Sequence, residues 1–243
     1  MANGSRDNTA AIHRRLRDAI LHGELEAGAE ISQVKLAEDF GVSRGPVREA
    51  LRLLEREGLI QAELNRRVRV APFTPDDLEE LYALRIVNEA FGIRATVPHL
   101  TEADLADLRE DLGRMEALAG ADVATWEIVH RHFHHTLVAY AGTRVVRLTQ
   151  QLSDHAERYR LVYVAQDPRA WSAGAAEHRE IVAACEAADP AGAADALARH
   201  LARTAGSVLM HVAPDHDPVL VRSAVRAAAG TEPAARLRVA QQR

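Results

Sequence analysis

Ile12, Leu16 and Ile20 recur at four-residue spacing, and the pattern stops at Gly23, which predicts an amphipathic helix closed by glycine. After the loop LEAGAE, Ser32 can cap a short helix whose apolar surface is Val34, Leu36, Ala37 and Phe40 and which ends at Gly41. The segment GVSRGPVREALRLLEREGLI predicts a third helix. Ser43 stands at its cap, and Pro46 falls in its first turn, where a missing N–H removes no intrahelical bond. Val47, Ala50, Leu51 and Leu54 form one apolar stripe, and Arg44, Arg48, Arg52 and Arg56 repeat every four residues beside it. After Gly58 the period drops to two: Ile60, Ala62 and Leu64 alternate with polar residues, Asn65-Arg66-Arg67 turns the chain, and Val68 and Val70 alternate again. Helix, tight turn, helix and β-hairpin in this order make a winged helix-turn-helix.

Pro72 and Pro75 mark a boundary, and no strand-like alternation follows them. Helices are expected from Pro75 or Asp76 to about Val97, from the cap Thr101 to about Ala119, and from Val123 to about Ala139. Three more are expected from Thr143 to about Ala165, from Pro168–Trp171 to about Ala187, and from Pro190 to about Met210. These six build an antiparallel bundle, with a seventh short helix available at Val219 to Ala229. The expected division is a winged helix over 1–72, an all-α domain over 73–212 and a flexible tail over 213–243.

Composition agrees with a mostly α fold, since aromatics are only 4% of the 243 residues while alanine is abundant. The single cysteine, Cys185, excludes an internal disulfide framework and reads as a small buried side chain. The N-terminus lacks the apolar run of a signal peptide, position 2 is alanine rather than the glycine that myristoylation needs, and no stretch approaches the length of an apolar membrane span, so a cytoplasmic protein without a membrane partner is expected. The formal charge of −5 is unevenly divided: twelve Lys or Arg face eleven Asp or Glu through Pro72, against eighteen and twenty-four beyond it. Within Gly41 to Pro72 the count is seven to four, so the relevant feature is a local basic patch.

The segment ISQVKLAEDFGVSRGPVREALRLLEREGLIQAELNRRVRV resembles the DNA-binding domain of the GntR superfamily, with VSRxPVREAL its most specific part. The resemblance covers roughly residues 10 to 72. It implies that Arg44 and Arg48 reach guanine edges or phosphates of double-stranded DNA, that Ser43 touches a phosphate, and that Arg66 and Arg67 lie at the wing tip. Two positions depart from the pattern: Arg67 stands where glycine is frequent, and Val34, with Lys35 beside it as the DNA contact, stands where arginine is frequent. Arg52 and Arg56 can pair with Glu49, Glu55 and Glu57 and support the helix.

Histidine is abundant, twelve residues, and its spacing carries chemistry. His130 and His134 are four apart, so both imidazoles leave one helix face and can share a metal ion; His178 and His200 sit on two later helices. On residues alone the alternative is an exposed cluster without a resident ion. The chain resembles GntR regulators of the FadR type, whose helical effector-sensing domain carries a D-x-x-F-H segment, a later histidine before REIVAA-like sequence and a last one near HL. By that resemblance His130, His134, His178 and His200 hold a divalent metal, and Arg85, with Glu89, serves a small carboxylate effector. The usual aspartate is His130 here, which raises the charge of the ion and its ligands from +1 to +2 and, by removing an oxygen ligand, favours zinc or nickel over manganese. Because an imidazole must be neutral to bind, occupancy is expected to fall below roughly pH 6 to 6.5.

These observations imply a homodimeric regulator, a repressor by the commoner family behaviour, that binds a pseudo-palindromic operator and is switched by its bundle. Two rivals are a zinc hydrolase using the histidines with Glu127 or Glu177 as base, and a winged-helix protein whose bundle only dimerises.

Overall fold

The computed structural model describes residues 2–21, 24–62, 67–72, 74–166 and 169–229. The architecture is mostly helical with a small three-stranded antiparallel sheet. Helix α1 (Ala2–Leu21) buries Ile12 and Leu16 against α3 (Arg44–Arg56), which contributes Val47, Ala50, Leu51 and Leu54, so the stripes read from the sequence face each other. Between them lies α2 (Gln33–Asp39), where the Ser32 Oγ accepts from the Lys35 amide at 3.3 Å. Val34, counted in that helix's apolar surface, is instead 45% exposed; Leu36, Ala37 and Phe40 make the contact. Ser43 occupies the cap position of α3 as expected, yet its side chain makes no capping bond.

Strands β2 (Ile60–Ala62) and β3 (Val68–Val70) pair antiparallel with Ile60 opposite Val70 and Ala62 opposite Val68. Their connection, including Asn65 and Arg66 of the expected wing tip, lies outside the described residues. A further strand, β1 (Glu30–Ile31), pairs with β3 through Ile31 opposite Val68, which turns the expected hairpin into a sheet of order β1-β3-β2. Two residues are too few for alternation to show. The pairing is extended by hydrogen bonds between Gly28, Ala29 and Val70, a contact between distant parts of the chain.

The second domain is built around α4 (Pro75–Thr96), capped by Thr74 and packed against α7 (Thr143–Gln166), α9 (Pro190–Val212) and α10 (Val219–Ala229). A helix touched on several sides must be apolar on several sides, and α4 buries Leu78, Leu81, Tyr82, Ile86, Ala90 and Ile93. The remaining elements are α5 (Glu102–Leu118), opened by a Thr101–Asp104 capping box, α6 (Val123–Thr136), capped by Asp122, and α8 (Arg169–Glu186). A 3₁₀ turn at Val97–His99 joins α4 to α5.

Residues 219–229, where the sequence makes a seventh short helix available within the expected tail, form α10 and bury Val221, Ala224 and Ala228 in the main core. Both ends of α10 are held by α4. The buried Glu79 carboxylate accepts from the Leu220 amide at 2.5 Å and from the Val221 amide, and Arg94 donates to the Ala228 carbonyl at 2.9 Å. An anion at the N-terminus and a cation at the C-terminus complement the helix dipole. Neither partner is visible in the local sequence, because each lies well over a hundred residues away.

Glu79→Ala is expected to cost about 1–2 kcal/mol, the value of a lost helix cap. Hydrogen exchange should accelerate in α10 while amides of α3 keep their protection; acceleration across the whole chain would contradict the local role.

Candidate nucleic-acid interface and metal centre

At the start of α3, Ser43, Arg44 and Arg48 are exposed, as are Lys35 on α2 and Arg67 before β3. Arg44 and Arg48 have no ion-pair partner among the described residues, whereas Arg52 faces Glu49 at 3.8 Å. Ser43, whose hydroxyl makes no capping bond, stands at the N-terminus of α3, so exposed cationic side chains, a hydroxyl and a helix N-terminus lie together in the sequence Ser43 to Arg48. Arg56 does not follow the expected pairing, because Glu57 is engaged by His13 at 2.6 Å and Arg17 at 3.2 Å.

Within the bundle, His130 and His134 on α6, His178 on α8 and His200 on α9 converge. Each offers one nitrogen, these nitrogens all lie within 4.8 Å of one another, and all four residues are buried. Packing holds the rings. His130 stacks on Trp126 with centroids 4.4 Å apart, and Phe133 meets His178 edge-on at 5.0 Å. Carboxylates orient two of them: His134 Nδ1 donates to Glu89 at 3.0 Å, and His200 Nδ1 donates to Glu177 at 2.8 Å. This carboxylate–imidazole arrangement is the one that fixes ring orientation at metal sites, leaving the opposite nitrogen toward the ion.

Three buried nitrogens, His130 Nδ1, His134 Nε2 and His178 Nε2, have no hydrogen-bond partner among the described residues. Unpaired buried polar atoms are costly, and a shared cation satisfies all three at once, so the donor set fits a divalent metal of the N-ligand class. Burial pushes the imidazoles down: His130 and His178 fall well below the ordinary value, and His134 falls to about 4 despite the opposing pull of Glu89. Burial lowers His200 as well, against the opposing pull of Glu177, so all four rings stay neutral and metal-competent to lower pH than ordinary imidazoles. Burial would raise Glu89, but Arg85 and His134 outweigh it and bring the carboxylate to about 2.

His130, His178 and His200 line a cavity shared with Tyr82, Arg85 and Arg160. Arg85 is 1% exposed and donates through Nε to Glu89 at 2.8 Å, the i, i+4 pair visible in the sequence. Arg160 and Tyr82 were not singled out by sequence; Arg160 lies among several arginines of α7 with no distinguishing spacing. Glu127 is bound by Arg160, and Glu177 by His200 and Arg203, so both carboxylates considered as hydrolytic bases are already engaged. Burial lifts the Cys185 thiol to about 12, which suits an inert core residue.

Helix α7 connects the two regions. Its Arg160 lines the cavity, while His155 Nε2 donates to the Arg56 carbonyl at 2.8 Å and Arg158 donates to the Gly58 carbonyl at 3.2 Å. Glu157 adds an ion pair to Arg17 of α1. Gly58 has φ +66°, and a Cβ there would stand 2.8 Å from the His155 ring, so the contact requires glycine twice over.

Residues 8–70 match the family described as bacterial regulatory proteins, gntR family, and residues 80–203 match the FCD domain. The HTH-type transcriptional regulator YdhC of Bacillus subtilis is 30% identical over 173 residues, covering 70% of this chain and 77% of that one. A probable D-xylose utilization operon transcriptional repressor of Paenarthrobacter nicotinovorans is 28% identical over 207 residues, covering 83% and 90%. Among solved structures, a putative transcriptional regulator GntR from Rhodococcus sp. RHA1 superposes with a TM-score of 0.65 at 28% identity, covering 84% of this chain and 98% of that one.

Folded imidazoles that refuse protons down to low pH make the metal-free protein acid-sensitive. Below about pH 6.5 the unfolded chain binds protons that the folded chain does not, so this contribution to stability is complete above that value and is lost progressively as pH falls toward 4. His134 alone is expected to cost on the order of 2 kcal/mol between pH 7.5 and pH 5. Urea unfolding of metal-free protein at the two pH values checks this, and His134→Gln should reduce the difference.

Proposed function

The chain belongs to the GntR family of bacterial regulatory proteins and carries an FCD domain, and from that premise we propose that it is a repressor whose grip on DNA is released by a small carboxylate acting at a buried divalent metal. The observation that carries the effector half is the set of four buried imidazoles with nitrogens within 4.8 Å of one another, of which three nitrogens lack any other described partner. An all-nitrogen donor set supports zinc or nickel over manganese. When bound, the ion supplies a buried positive centre that attracts a carboxylate. Arg85, anchored by Glu89 and with both Nη atoms lacking a hydrogen-bond partner among the described residues, is the side chain proposed to orient that carboxylate. The Paenarthrobacter relative is named as a repressor, which supports that sign of regulation.

Ser43, Arg44, Arg48 and Lys35 are the proposed operator contacts, with Arg67 beside the wing; Arg66 falls outside the described residues. A pseudo-palindromic operator needs two reading heads. An apolar stripe on α4, Leu84, Val87 and Phe91, is 59%, 47% and 61% exposed, and we assign it to pairing with a second copy. The effector must favour one arrangement of the two heads, since a ligand with equal affinity for both shifts nothing. In this reading the shift passes along α7 to the carbonyls that close α3.

Arg48→Ala is expected to weaken specific operator binding by about 1–3 kcal/mol if the side chain reads a base, and mainly to flatten the salt dependence if it meets a phosphate; a gel-shift salt series separates the two. Gly58→Ala should cost about 1 kcal/mol or more of stability and leave effector affinity intact while reducing the effect of effector on operator affinity. Full effector response in a folded Gly58→Ala protein would contradict transmission through this contact.

A further inference from the structure

The buried polar atoms without partners divide into two chemical kinds. The imidazole nitrogens can be satisfied by a metal. Arg85 Nη1 and Nη2, Arg160 Nη1 and the Tyr82 hydroxyl also have no hydrogen-bond partner among the described residues, and a guanidinium, which only donates, cannot be satisfied by a cation. These three residues are 1%, 4% and 0% exposed, and all line the cavity that holds His130, His178 and His200. The two arginines are anchored alike. Arg85 gives Nε to Glu89, while Arg160 gives Nε to Glu127 at 3.3 Å and Nη2 to Glu127 and to the Ser153 carbonyl. Each is thus neutralised and oriented along one edge, with another edge left to a ligand. Tyr82 stands beside Arg85, whose guanidinium lies 5.2 Å from its ring centre, and lines the same cavity as Arg160.

Charge points the same way. Arg85 with Glu89, Arg160 with Glu127 and Arg203 with Glu177 each cancel, and the four imidazoles are neutral, so a divalent ion would leave +2 in a buried site. A monoanion halves that charge; a dianion removes it, and buried uncompensated charge is costly. The cavity is small, about 50 Å³, which favours a short ligand, and Trp126, Trp171 and Met115 supply apolar wall for its carbons.

We propose that this regulator discriminates by charge number, recognising a short dicarboxylate with one carboxylate at the metal and Arg85 and the second at Arg160 and Tyr82. The inference rests on the metal–carboxylate reading above and adds Arg160 and Tyr82 as the residues that set specificity.

Calorimetric titration of the full-length, zinc-loaded protein tests it with acids matched in length: malonate, succinate and glutarate against propionate, butyrate and valerate. At one length at least, the dicarboxylate should bind about tenfold or more tighter, equivalent to about 1.4 kcal/mol. Tyr82→Phe, which keeps the ring and the fold, should weaken that dicarboxylate several-fold and leave its monocarboxylate unchanged. The paired variant Arg160→Gln with Glu127→Gln, which removes both charges together, should bring the ratio to about one. Equal affinity for both acids in the wild type, or an equal loss for both in Tyr82→Phe, overturns the inference and leaves the metal–carboxylate reading standing. Failure of every acid to bind, or equal binding with and without metal, overturns both.

Discussion

Four buried imidazoles can share one site only while they stay neutral, because positive charges on nitrogens within 4.8 Å of one another would repel strongly. Much of the bundle's design follows from that constraint. Helices α6, α8 and α9 each bring a histidine to the same point, aromatic rings from α6 hold two of them by stacking and edge contact, and Glu89 and Glu177 fix two more through the nitrogen that faces away. Neutrality makes the set unstable against acid in the absence of an ion and ready for one in its presence. The same burial that depresses the imidazoles leaves three nitrogens without a described partner, so the fold gains by binding a cation here.

The cavity and the reading head are not independent. Arg160 and the trio His155, Glu157 and Arg158 belong to one helix, so the element that lines the cavity also reaches the Arg56 carbonyl at the end of α3, the Gly58 carbonyl just beyond it and the Arg17 guanidinium of α1. Gly58 permits that closeness. A side chain there would have to displace the His155 ring, which makes the joint intolerant of substitution.

Local signals made much of this legible before any coordinates. The winged helix announced itself through the stripe from Val47 to Leu54, the glycine at 58 and the alternation around Val68, because these patterns are properties of short windows. His130 and His134 showed themselves by spacing on one helix, and His178 and His200 joined them through the resemblance rather than through pattern. What escaped was non-local. The two-residue β1 exists only because β3 lies beside it, α10 is held by Glu79 and Arg94 from the far end of the domain, and Val34 turns outward although its neighbours face the core. Arg160 and Tyr82 belong to the same class, since a charged residue in an arginine-rich helix gains meaning only from the Glu127 and the cavity it meets. The pH at which the histidines charge was also out of reach, because it depends on burial and not on spacing.

Everything proposed for the bundle depends on the four buried imidazoles holding a nitrogen-preferring divalent ion. Elemental analysis of the full-length protein, purified without an affinity tag, tests it directly. The account predicts about one zinc or nickel ion per chain, lost in His134→Ala protein that remains folded. Manganese as the predominant metal, or fully stable protein carrying no transition metal at all, would contradict it.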